Sequence, residues 1–140
     1  MSEPVSTHPS AVSGPLLDHQ EKMIVLGLSG GGGDYQLHLA VDEPLTANPV
    51  GQVVGTLHAH AKRVDVVSSG GGRYIEPVMG RPRRVQGRVV AGDHQANTLQ
   101  IHAGAGMIEA TLMLPQKTAD FSLGQTVTFS VMRGATFQPV

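Results

Sequence analysis

Asp93-His94-Gln95-Ala96-Asn97-Thr98-Leu99-Gln100-Ile101 repeats the pattern of Asp18-His19-Gln20-Glu21-Lys22-Met23-Ile24-Val25-Leu26. In both copies an Asp-His-Gln turn leads into a stretch whose apolar side chains alternate: Ile24 and Leu26 in the first, Leu99 and Ile101 in the second. Successive side chains of a strand point to opposite faces, so this alternation predicts a strand with one inward face. Asp suits the turn because its carboxylate bonds its own backbone two residues on.

Two further blocks recur in the same order. Thr46-Ala47-Asn48-Pro49-Val50-Gly51-Gln52 matches Thr118-Ala119-Asp120-Phe121-Ser122-Leu123-Gly124-Gln125 with one residue inserted. Gly72-Arg73-Tyr74-Ile75-Glu76-Pro77-Val78 matches Gly134-Ala135-Thr136-Phe137-Gln138-Pro139-Val140. Repetition in register is the signature of one structural unit used twice. It gives two homologous units, 16–78 and 83–140, with 79–82 as a linker and the Pro-, Ser- and Thr-rich residues 1–15 as a disordered arm.

Within the second unit, alternation and Gly-rich turns predict strands near 85–91, 98–102, 107–114, 125–132 and 136–139. Phe121, Phe129 and Phe137 fall in the repeat frame and read as core. Five short strands with one inward face suggest a small closed barrel. A unit of about 60 residues buries only about 60% of its unfolded surface, so the units should pack on each other or on a second chain.

Composition agrees. The chain has 140 residues, 40% hydrophobic and 15% charged, with 18 Gly, 9 Pro and no Cys. Such a chain is not a coiled coil, a long-helix bundle or a disulfide-stapled mini-protein. No stretch carries a helical period, no apolar run is long enough for a membrane-spanning helix, and the N-terminus lacks the features of a secretory signal. The fold class expected is all-β, two tandem five-stranded meander barrels, in a cytoplasmic protein without a membrane partner.

Gly87-Arg88-Val89-Val90-Ala91-Gly92-Asp93, Asn97-Thr98-Leu99-Gln100-Ile101 and Leu123-Gly124-Gln125-Thr126-Val127-Thr128-Phe129 together resemble small OB-type barrels. The resemblance covers about 50 residues of the second unit and, more weakly, the first. It implies a barrel shape and a binding role, with nucleic acids, sugars, metals and proteins all open as ligands.

Charge is unevenly spread although the net charge is only −1. Residues 1–61 carry six acids against Lys22 alone, whereas 62–88 carry Lys62, Arg63, Arg73, Arg81, Arg83, Arg84 and Arg88 against Asp65 and Glu76. Arg81, Arg83, Arg84 and Arg88, widened by Arg73 and Lys62, form a candidate phosphate-contacting patch. Tyr35 and Tyr74 are the aromatics left to act as stacking platforms beside it. The competing reading is a solvated linker whose arginines pair with the acidic first unit.

His58 and His60 alternate on a strand and share a face, and His38 points outward from the preceding strand. If those strands pair, the three imidazoles could hold a divalent metal; otherwise they form a polar face, and no cofactor is implied. His102 and Met113 face outward on neighbouring strands, a feature similar to small periplasmic copper-binding OB barrels, but the paired Met residues and Trp are missing. The Gly-rich stretches 29–34 and 68–73 lack the Lys-Ser/Thr ending and helix of a phosphate loop and read as hairpin tips. No nucleophile elbow or carboxylate pair appears, so an enzyme is not expected. Binding of a polyanion, self-association into a homo-oligomer and metal binding are the readings in descending order.

Overall fold

The computed structural model describes residues 11–30, 33–68 and 71–140. The first half contributes β1 (Val12–His19), β2 (Met23–Gly30), β3 (Gly33–Ala40), the long β4 (Gln52–Val66), and the short β5 (Tyr74–Glu76) and β6 (Met79–Gly80). The second contributes β7 (Arg84–Asp93), β8 (Thr98–His102), β9 (Met107–Thr111), a 3-10 turn at Thr118–Asp120, and the long β10 (Thr126–Pro139). Among the described residues every regular element except that turn is a strand.

The strands form a single sheet that closes on itself in two rings. One ring runs β1–β2–β3–β10–β4 and returns to β1. The other runs β7–β8–β9–β4–β10 and returns to β7. Both rings therefore use β4 and β10. Gln52–Gly55 of β4 pair with β1, and His58–His60 pair in parallel with β9. β10 likewise gives Thr126–Ser130 to β7 and Thr136 to β3.

Alternation explains the burial. Leu37 and Leu39 of β3 oppose Leu26 and Ile24 of β2, and all four are buried. Leu99 and Ile101 oppose Ala110 and Ile108 in the same way. Phe129 and Phe137, from the two ends of β10, are both buried, while Phe121 packs against the core partly covered.

Two strands carry similar bulges. β1 bulges between Leu16 and Asp18 opposite β2, and β7 bulges between Val89 and Ala91 opposite β8. A bulge bends its strand, which lets β1 pair with β2 at one end and β4 at the other, and β7 with β8 and β10. Gly14 and Gly87 lie at the inner approach of these bent strands. A Cβ on Gly87 would come within 2.7 Å of Ile101 Cγ2, and one on Gly14 would run into the Gly27 carbonyl.

Several expectations need correction. Residues 12–15, assigned to a disordered arm, form the first part of β1 and pair with Gln52–Gly55; residues 1–10 lie outside the described residues. The arm reading overlooked the inward alternation of Val12, Gly14 and Leu16. Met79 and Gly80, read as the start of a linker, pair in parallel with Gln36 and Leu37 of β3, and Pro82 is buried. Residues 136–139 are the continuation of β10 past a bulge between Met132 and Ala135. Arg133 and Gly134 take φ of 59° and 77° there. Asp18 lies in β1 opposite Val25, whereas Asp93 ends β7 opposite Thr98, so the two Asp-His-Gln stretches are not equivalent in the fold.

Candidate functional site

The arginine-rich segment 81–84 runs from β6 on the first ring to β7 on the second. Local bonding fixes its path: the Arg83 amide donates to the Glu76 carbonyl at 2.7 Å, and the Val131 amide donates to the Arg83 carbonyl at 2.8 Å. Arg81 packs against Gly134, its Cδ lying 3.5 Å from where a Cβ would stand. A side chain at residue 134 would crowd Arg81, and the positive φ independently favours glycine there.

This segment borders an open groove of about 690 Å³. Its lining combines Pro77, Val78 and Met79 with Arg81, Arg83 and Arg84, and carries one carboxylate, Glu76. Val78 and Met79 are 55% and 61% exposed. The three arginines are exposed.

The cationic surface extends beyond the groove. Arg84 Nη1 donates to Ser130 Oγ at 3.2 Å, and Ser130 sits on β10 between Arg84 of β7 and the bulged Lys62-Arg63 of β4. Arg133, in the β10 bulge, is exposed and adjoins Gly134, against which Arg81 packs. Sequence reading passed over Arg133 because it stands alone, and no local pattern along the chain marks it.

Arg88 lies four residues along β7, about 13 Å from Arg84 at a strand's rise, and is the cross-strand partner of His102. Arg73 Nη1 is 3.4 Å from Nδ1 of the same His102, which also accepts the Gly104 amide at 3.3 Å. The predicted patch thus divides into Arg81, Arg83 and Arg84 with Lys62 across β10, and Arg73 with Arg88 about His102. Between them Gln86 is held by the Tyr74 hydroxyl and by the Gly72 carbonyl.

Among the described residues the ion pairs are Arg63–Asp65 and His58–Glu109. None of Arg73, Arg81, Arg83, Arg84 and Arg88 takes part in one, so the pairing of these arginines with the acidic first unit is not seen.

Stacking platforms are fewer than expected. Tyr35 is 4% exposed and its hydroxyl accepts the Ile75 amide, which makes it a core residue. Tyr74 is half-buried with its hydroxyl committed to Gln86.

The three histidines are not brought together as a triad. β10 lies between β3 and β4, so His38 is not on a strand adjacent to His58 and His60. His38 pairs across to Val25, while His58 donates from Nδ1 to Glu109 at 2.9 Å and its Nε2 is 2.7 Å from the Thr56 hydroxyl. Among the described residues no group of three or more His, Cys, Asp or Glu is arranged to hold a metal ion. Met113 lies beyond the end of β9, and the His102 Nδ1 is already engaged.

The first Gly-rich stretch joins β2 to β3, whose pairing runs out to Gly30 and Gly33. The second separates β4 from β5, which do not pair with each other, so it is not the tip of a hairpin between them; residues 31–32 and 69–70 of the two stretches lie outside the described residues. Among the described residues no helix is long and apolar enough to cross a membrane.

No protein-family model, curated protein or solved structure matches this chain.

Proposed function

We propose that the protein is a non-catalytic binding module for nucleic acid or a related polyanion, contacted by Arg81, Arg83, Arg84, Arg88, Arg73 and Lys62, with Arg133 added. The observation that carries this reading is the groove bordered by three exposed arginines that, among the described residues, take part in no ion pair. Unpaired guanidinium groups retain their capacity for bidentate bonds to phosphate. Arg84 and Arg88, spaced along β7, support contact with a chain of charges over a single anion. The two five-stranded rings, each with a bent first strand, also support OB-like units, an architecture that presents such ligands with a sheet face.

The test is binding of short nucleic acids over a salt series. Counterion release makes log affinity fall linearly with log salt, by about 0.7 per phosphate contacted on single strands. A slope of about two or more is expected. Salt-insensitive binding, or none, overturns the reading.

A second reading, self-association, rests on a different surface. Leu114 and Leu123, 74% and 71% exposed, flank hollows that share His94 and Thr118. Exposed apolar side chains rimmed by polar ones favour contact with another protein surface. Sedimentation at tens of micromolar tests it, and a strict monomer counts against it.

A further inference from the structure

We infer that the groove at Glu76–Arg84 receives an unpaired nucleobase of a single-stranded nucleic acid, with the Glu76 carboxylate accepting hydrogen bonds from the base's pairing edge. This rests on the polyanion reading above and goes beyond it by naming what enters the groove.

Three features of the lining point this way. A site built for phosphates alone would gain from arginines and lose from a carboxylate, because Glu76 repels every anion that approaches. Glu76 nevertheless lines the groove beside Arg81, Arg83 and Arg84 and is in no ion pair among the described residues. Glu76 stands opposite Arg84 in register, and with that guanidinium turned to a phosphate its carboxylate is open to an N–H donor carried by the same ligand. A nucleobase supplies it: cytosine presents N4–H₂ and adenine N6–H₂, whereas thymine presents carbonyl oxygens on either side of its one N–H.

Pro77, Val78 and Met79 supply the apolar component. A base has two flat apolar faces that gain by leaving water, and a methionine side chain, flexible and polarisable, conforms to such a face. A guanidinium plane stacks on it equally well. These contacts stand in for the aromatic platforms that Tyr35, buried in the core, does not provide. The volume of about 690 Å³ lies in the range of about 300–1,000 Å³ typical of small-ligand sites and leaves room for a base with its sugar.

An intact duplex cannot satisfy this groove, since pairing hides the edge Glu76 would read and stacking hides the faces. The occupant is therefore single-stranded.

The experiment measures affinities of the full chain for 12-nucleotide oligo(dC), oligo(dA) and oligo(dT), for a duplex of equal length, and for inorganic polyphosphate. Glu76→Gln and the double variant Arg83→Ala/Arg84→Ala are measured beside it. Oligo(dC) and oligo(dA) are expected to bind about fivefold tighter than oligo(dT), the worth of about one hydrogen bond, and tighter than the duplex. Glu76→Gln should erase the preference over oligo(dT), because an amide offers a donor to the thymine carbonyls, while leaving the salt slope unchanged. Equal binding of all three single strands with a silent Glu76→Gln overturns the inference. So does a duplex or polyphosphate that binds as tightly as the single strands. In either case weakening by the double arginine variant preserves the polyanion reading. If no probe binds, both fall.

Discussion

His58 on β4 and Glu109 on β9 stand in register on parallel strands, and their side chains meet at 2.9 Å across the boundary between the two sequence repeats. The second Glu109 oxygen accepts from Gln100 on β8, and the Thr56 hydroxyl closes the other end of the chain at His58. Four polar side chains on three strands thus tie the first repeat's long strand to the second repeat's ring. Each side chain of the central pair is 30% exposed, so water weakens the attraction. A double-mutant cycle with His58→Ala and Glu109→Ala should give a coupling of about 0.5–1 kcal/mol in urea unfolding. A coupling near zero would show that the pair is held in place by the strands around it.

Sharing of β4 and β10 makes the halves interdependent. Residues 1–78 alone lack β10, which opens the first ring and exposes Leu57 and Leu39. That fragment should be unfolded by circular dichroism, and an equimolar mixture with 79–140 should recover strand signal. Full-length protein should unfold in one transition. A separately folded 1–78 fragment would contradict the shared-strand arrangement.

Phe129 is buried where β10 runs between β4 and β7. Phe129→Ala should cost about 3–5 kcal/mol by equilibrium denaturation. Because both rings use this strand, the loss should lower the stability of the whole chain and leave no folded half; a loss of exchange protection confined to the second ring would be the signature of a local effect.

Gly87 must lack a Cβ because of the close approach, and has no positive φ to accommodate. Gly87→Ala would press on Ile101 Cγ2 and the His102 carbonyl and should destabilise by about 1–3 kcal/mol. Gly72→Ala, where a Cβ meets nothing within 4 Å, should stay within about 0.5 kcal/mol of the parent in the same thermal melts.

Arg83→Ala/Arg84→Ala should reduce nucleic-acid affinity and lower the salt slope by about one to two. Their side chains are exposed, so the melting temperature should hardly move. Arg133→Ala should weaken binding further, whereas Lys22→Ala, placed at the β2 end and bonded to the Asp42 carbonyl, should not.

The sequence by itself determined the local order of this protein. Alternation at Ile24/Leu26 and Leu99/Ile101 set which residues face inward, since a strand's period of two admits one answer once a face is buried. The arginine cluster was legible as well, because charge density is a property of composition. Tertiary structure decided the rest. Which strands pair depends on contacts far apart in the chain, so nothing local showed that β10 would separate His38 from His58, or that β4 and β10 would each serve two rings. The groove has the same origin. Glu76, Val78 and Met79 line it together with the arginines because β6 adds to β3 while β7 turns back along β10, an arrangement that no residue pattern along the chain encodes.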